Sequence, residues 1–320
     1  MASAQPVICS TSRVARLALS NDQFFSEKSQ FADSHGLKTD RRQGGAVPRP
    51  IACSSFSFSG VSYSTALDII HDLGFDGVGL GVFPQLSTLT PELIRGKARY
   101  WGAALATGLR QRGLAAADVF GASEMKINDP DAERRRSARQ FFDDLIELAE
   151  SVDADGITIL PGVEHPGQSQ VSALELTARE LEFRLDRARA RGLRVSIEPH
   201  VGSHLDTPEK VLTLLDLVPE LELTLDYAHF HVQGIPEPDI HHLLARARHF
   251  HCRGARRDTI QTDFRSNTID FDGILVAMEE HGYSGWIEVE YVYWPVELGG
   301  EVCDNLREAR HFLEYLRSEP

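Results

Sequence analysis

A chain of 320 residues, 42% of them hydrophobic, carries ample apolar surface for one large α/β domain or two ordinary ones, which excludes global disorder. A net charge of -14 sets the surface against phosphate backbones, so nucleic acid is a poor partner and a small molecule a better one. Cys9, Cys53, Cys252 and Cys303 form no CxxC pair, which points to reduced, cytoplasmic thiols; no apolar run approaches membrane length, and without an apolar stretch near Met1 no secretory leader is expected.

Residues 1–48 have weak periodicity and run into DRRQGGAVPRP (Asp40–Pro50), which reads as an N-terminal extension and linker, or as an arm contacting another subunit. From Ile51 onward a short β-like run alternates with an amphipathic helix. The expected strands are 51–57, 76–82, 114–120, 156–160, 193–199, 221–227, 247–253 and 286–291, with helices between them and a last helix over about 302–317. Helix starts are marked by Thr90-Pro91-Glu92, Asp129-Pro130-Asp131 and Thr207-Pro208-Glu209, each an N-cap, a proline and an acid. Helix ends are marked by Gly74, Gly113, Gly192 and Gly282. Eight strands alternating with eight helices predict a (β/α)8 TIM barrel over residues 49–320. A doubly wound open sheet would carry a glycine-rich turn after its first strand, and SFSFSGVS (Ser55–Ser62) supplies none.

Alternate residues of a barrel strand face the helices and the interior. In LRVSIEPH the outward set is Leu193, Val195 and Ile197, and the inward set Arg194, Ser196, Glu198 and His200. In LELTLDY the inward set is Glu222, Thr224 and Asp226. In HFHCR it is His249, His251 and Arg253, and in WIEVEY it is Trp286, Glu288 and Glu290. Four successive strands thus aim an ionisable side chain inward near the C-terminal end, where barrel enzymes keep their chemistry: Glu198, Asp226, His251 and Glu290. Three crowded carboxylates resist joint ionisation, and a divalent cation resolves the repulsion. An oxygen-rich set with one imidazole suits Mn2+, Mg2+ or Co2+ better than a closed zinc site. Arg194, Glu222 and Glu288 read as salt-bridged packing.

SIEPH, LTLDYAHF, HFHCRGARRD and GYSGWIEVEY together resemble the xylose-isomerase-like TIM barrels, a family of sugar isomerases and epimerases that also holds endonucleases. The resemblance implies a metal held by Glu198, Asp226, His251 and Glu290, with manganese the first choice. It implies that Glu198 and Glu290 also move protons in an enediolate mechanism, and that His229 and Arg257 contact substrate oxygens. The endonuclease branch needs further histidines on the second and third strands and an Asp-x-His after the seventh. DGVGLGVF, AAADVFGA and RRDTIQ lack them. In the loop ITILPGVEHPG, His165 is a further catalytic candidate, and His200, near it in barrel order, a substrate contact. An extra imidazole would suit elimination, as in inosose and 3-dehydroshikimate dehydratases or the catalytic subunits that cleave 3-keto C-glycosides. The expected substrate is a small polyhydroxy carbonyl compound without phosphate. Tyr291, Tyr293 and Trp294 read as an aromatic wall or, equally, as packing or a subunit contact, and Gly254–Asp270 as part of the pocket's cover. A homo-oligomer or an accessory subunit is the expected assembly.

Overall fold

The computed structural model describes residues 49–293, 296 and 299–318; Cys9, Trp294 and the whole 1–48 segment lie outside the described residues. Eight parallel strands close into a barrel in sequence order: β1 (Ile51–Ser54), β2 (Gly77–Val82), β3 (Ala115–Gly121), β4 (Gly156–Ile159), β5 (Arg194–Ile197), β6 (Glu222–Asp226), β7 (Ala247–Cys252) and β8 (Trp286–Val289). β8 pairs back onto β1 through Ala52 and Glu288. The helices are α1 (Tyr63–Leu73), α2 (Pro91–Ile94), α3 (Ala98–Arg112), α4 (Ala132–Val152), α5 (Gln170–Arg189), α6 (Pro208–Leu217), α7 (Ala228–His231), α8 (Phe271–Glu280) and α9 (Asn305–Ser318).

The punctuation explains most of these boundaries. Thr90 caps α2 through its hydroxyl, and Gly74 and Gly113 end α1 and α3 at φ 94° and 66°, a left-handed conformation that a side chain disfavours. Three details differ from expectation. The cap of α4 is Asp131, which accepts from the Glu133 amide at 2.8 Å, whereas Asp129 accepts from the Asp131 amide at 3.0 Å. α5 and α8 stop at Ala190 and His281, short of their glycines. Between β6 and β7 no full helix forms: α7 is followed only by 3-10 turns at Glu237–Asp239 and His241–Arg246. Gly234, Pro236 and Pro238 interrupt that interval, and proline removes donors that a helix needs.

Leu221, Leu223, Leu225, Phe250, Cys252, Ile287 and Val289 face outward and join the core beneath the helices. The barrel interior is polar and layered. At its base, fully buried Arg248 donates to Asp118 at 2.6 Å, Ser196 at 2.8 Å and Thr158 at 3.0 Å. Two register shifts make this layer possible. The pairing Leu223↔Ala247 is followed by Thr224↔His249, so Arg248 is the bulged residue; Val78↔Ala116 is followed by Gly79↔Asp118, so Ala117 is. Arg248 therefore turns inward beside His249, which strict alternation forbids. Above it, His249 meets Glu288 at 2.9 Å, and Glu288 also accepts from the Ser54 hydroxyl. Arg194 and Glu222 pair at 2.6 Å at the half-exposed lower mouth. Cys53 and Cys252 are buried and Cys303 is half-buried, all as free thiols.

The GVGLGV run of β2 clears space for these inward groups. A Cβ on Gly79 would stand 1.9 Å from the Glu288 carboxylate, one on Gly81 2.3 Å from the Phe56 ring, and one on Gly77 2.8 Å from the Trp286 ring. Gly79→Ala is expected to lower stability by about 1–3 kcal/mol through overpacking, read as a lower urea midpoint at unchanged slope. An unchanged midpoint would mean that Glu288 can move aside freely.

Candidate metal centre

Backbone pairing delivers the four ionisable side chains to one place. Asp226 ends β6 and His251 lies in β7, while Glu198 and Glu290 continue β5 and β8 by one residue. The amide of Glu198 bonds to the Ile159 carbonyl at 3.1 Å, and that of Glu290 to the Cys252 carbonyl at 2.9 Å, so the ladder fixes both residues. His251 Nδ1 donates to Glu198 Oε1 at 2.6 Å and lies 2.7 Å from Glu290 Oε2. Asp226 Oδ1 accepts from the Ala228 amide at 2.8 Å, which turns Oδ2 toward the centre. All four side chains are buried.

The electrostatics follow from burying this much charge. The Glu198 carboxyl is pushed up to about 7 by burial and then by the Glu290 charge, with His251 opposing. Burial alone would raise Glu290, but Arg253 and His251 outweigh it and hold it below the usual carboxylate range. Burial disfavours the His251 cation, yet the two glutamates hold its imidazolium well above the usual range. His229 is depressed by burial and then by Arg253, and stays neutral. A positive charge is thus drawn to the spot between Glu198 and Glu290. Donor atoms of Glu198, His251 and Glu290 lie within 4.8 Å of one another, and so do those of Glu198, Asp226 and His229. Three carboxylates and an imidazole converging there suit a hard divalent cation.

The remaining sequence-chosen residues are spread around the mouth. His229 Nε2 is 3.7 Å from Asp226 Oδ2 and 4.0 Å from Glu198 Oε2. The His200 ring lies 5.8 Å from that of His229. Arg257 is exposed and packs over Gly234. His165 is half-buried, with its Nε2 unpartnered. His231 bridges Glu237 at 2.6 Å and Thr268 at 2.8 Å, tying two loops together. The 254–270 connection is pinned by buried Gln261, which exchanges hydrogen bonds with the Val292 backbone at 2.7 and 3.0 Å.

Two features escaped the sequence reading. Arg253, placed inward but given no role there, donates to Asp226 Oδ2, lies 3.1 Å from His229 Nε2 and sits 3.4 Å from Glu290 Oε1. The aromatic wall also differs from expectation. Tyr291 is buried and bonded to Gly254 and Thr262, and Tyr293 is 51% exposed. The rings instead come from the ends of the first three strands: Phe56, Phe83 and Phe120 pack edge to face, and Phe120 lies 5.4 Å from the His251 ring. Counting inward positions on β1 to β3, as on β5 to β8, would have found them. The centre therefore has an apolar half on strands one to three and a charged half on strands five to eight. A cleft of about 400 Å³ near Leu67, Leu89 and Trp101 lies on the flank at α1 and α3, lined by none of the cluster residues.

A closed parallel barrel with an acid–imidazole cluster at the C-terminal strand ends is a (β/α)8 architecture whose buried side chains could hold a divalent cation. The chain belongs to the xylose isomerase-like TIM barrel family, whose sequence model matches residues 67–318. Among solved structures, a 3-keto-D-glucoside 4-epimerase from E. coli is 18% identical with a TM-score of 0.64, covering 84% of this chain and 99% of its own. An L-ribulose 3-epimerase is 17% identical with a TM-score of 0.69, covering 84% and 94%. A probable 3-DHS dehydratase from Bacillus anthracis is 14% identical with a TM-score of 0.65, covering 85% and 100%. At these identities the likeness establishes the fold. No curated protein matches the chain significantly by sequence. Among the described residues, no helix is long and apolar enough to cross a membrane.

Proposed function

We propose that the protein is a cytoplasmic, divalent-metal-dependent isomerase or epimerase that moves a proton beside the carbonyl of a keto-sugar or cyclitol. The observation that carries this reading is the placement of Glu198, Asp226, His251 and Glu290 on four successive strands, with Glu198 shared by two groups of close donor atoms, one with His251 and Glu290 and one with Asp226 and His229. A divalent ion held by these four, manganese first and magnesium or cobalt as alternatives, would supply Lewis acidity that eases loss of a proton next to a carbonyl. Glu198 and Glu290 both reach His251 Nδ1, at 2.6 and 2.7 Å, and as neighbouring carboxylates they would serve as the acid–base pair, one taking a proton and the other returning it. His229 and His200 line the entrance to the charged half and would orient hydroxyls, and Arg257 would reach a more distant substrate oxygen. The three phenylalanines would pack the C–H face of the substrate and exclude water.

A lyase on the same scaffold is the second reading, favoured by one observation. His165 holds a buried, unpartnered Nε2 on the loop after β4, a group able to protonate a leaving hydroxyl or aglycone. One experiment separates the two. Manganese-loaded protein is incubated in D2O with ketoses, inososes and 3-keto-glycosides. Deuterium beside the carbonyl of recovered or epimerised ketose is the expected result. Loss of water or aglycone selects the lyase, and no exchange with any substrate, together with no bound divalent ion by elemental analysis, overturns both.

A further inference from the structure

Arg253 follows His251 by two residues, so the strand period places both side chains on the inner face. Its guanidinium is buried and reaches two acids of the cluster: Asp226 Oδ2, freed by the Ala228 amide bond to Oδ1, and Glu290 Oε1 at 3.4 Å, while Glu290 Oε2 faces His251. Its Nε is buried without a partner, and its polar contacts are the two carboxylates and His229. A planar guanidinium spans two acids with donors in a fixed fork, whereas a lysine ammonium offers its three donors from a single atom.

We propose that Arg253 is the resident counter-cation of this centre, a positioning residue that competes with the divalent ion for Asp226 and Glu290 and thereby sets how tightly the ion is held. The proposal rests on the reading of the four-residue cluster as a cation site. The consequence is a protein that keeps its carboxylates paired when stripped of metal and binds metal more weakly than its donor set would allow.

The test compares wild type and Arg253→Met after chelation, by thermal unfolding with and without saturating Mn2+ and by calorimetric Mn2+ titration. Arg253→Met is expected to lower Tm of the stripped protein by about 5–10 °C, as loss of a buried charge partner does. It is expected to bind Mn2+ about tenfold tighter and to gain more Tm from Mn2+ than wild type does. Equal Tm losses with and without Mn2+, or unchanged or weaker Mn2+ binding by the variant, overturn the competition while leaving the cation site standing. Absence of Mn2+ binding by both proteins removes the cation site itself, and the proposal with it. If Arg253→Met does not fold when stripped, refolding in Mn2+ decides: recovery supports the proposal, and failure in both conditions makes Arg253 a purely structural residue. Arg253→Lys, which keeps the charge but loses the fork, is expected to show the same changes at smaller size.

Discussion

Glu290→Gln is expected to slow proton exchange beside the substrate carbonyl by about 10²- to 10⁴-fold, the usual contribution of a positioned acid or base, while the barrel stays folded. Glutamine keeps the volume and one acceptor oxygen but removes the charge and the basicity. Glu198→Gln is expected to lose as much, because both carboxylates flank the same imidazole at 2.6 and 2.7 Å and an epimerisation needs a partner on each face. Their separate roles show in single-turnover exchange. If Glu290 takes the proton from one epimer, Glu290→Gln stops washout from that epimer, and Glu198→Gln lets it continue without delivering product. On the proposed reading both variants also lose a metal ligand and are expected to bind Mn2+ more weakly, so the measurement is made at saturating metal, with occupancy checked by elemental analysis. Full activity in a metal-saturated Glu290→Gln protein would place the chemistry elsewhere, and His165 and His229 would be the residues to test next.

Arg248→Met is expected to destabilise the barrel by about 3–5 kcal/mol, because it leaves Asp118 as an uncompensated buried charge. Arg248 and Asp118 are both fully buried, and the guanidinium also holds the hydroxyls of Ser196 and Thr158. Removing both charges in Arg248→Met with Asp118→Leu is expected to recover a large part of that loss, since the penalty belongs to the lone charge and not to the missing pair. Urea unfolding of the two single variants and the double variant measures the coupling. Additive losses would mean that the two charges do not compensate each other, despite the 2.6 Å contact.

Much of the site's placement was legible in the chain because a strand has a period of two. Once LTLDY and WIEVEY are taken as strands with Leu223, Leu225, Ile287 and Val289 outward, Asp226 and Glu290 have to turn inward. The eight-strand architecture was legible for a similar reason, since each helix carries its own cap or stop. Arg248 was not legible. It lies next to inward-facing His249, and only the bulge at Leu223/Thr224 turns both inside. The helix expected between β6 and β7 failed on chemistry visible in the sequence: a glycine and two prolines within a few residues outweigh the pattern of the other seven intervals. Arg253 was placed inward by alternation, but alternation does not say which acids an inward arginine meets across the barrel.

By itself, then, the sequence determined the fold class, the family, and which face of each strand carries an acid or an imidazole. Those properties are local, set by alternation and capping within a few residues. Only the tertiary structure decided what meets across the barrel: Arg253 on Asp226 and Glu290, Arg248 on Asp118, the glycines of β2 opposite Glu288 and Trp286, and a phenylalanine wall facing the charged strands. Those contacts depend on closure and on register between strands far apart in the chain, and one bulged residue is enough to change which side chains share a layer.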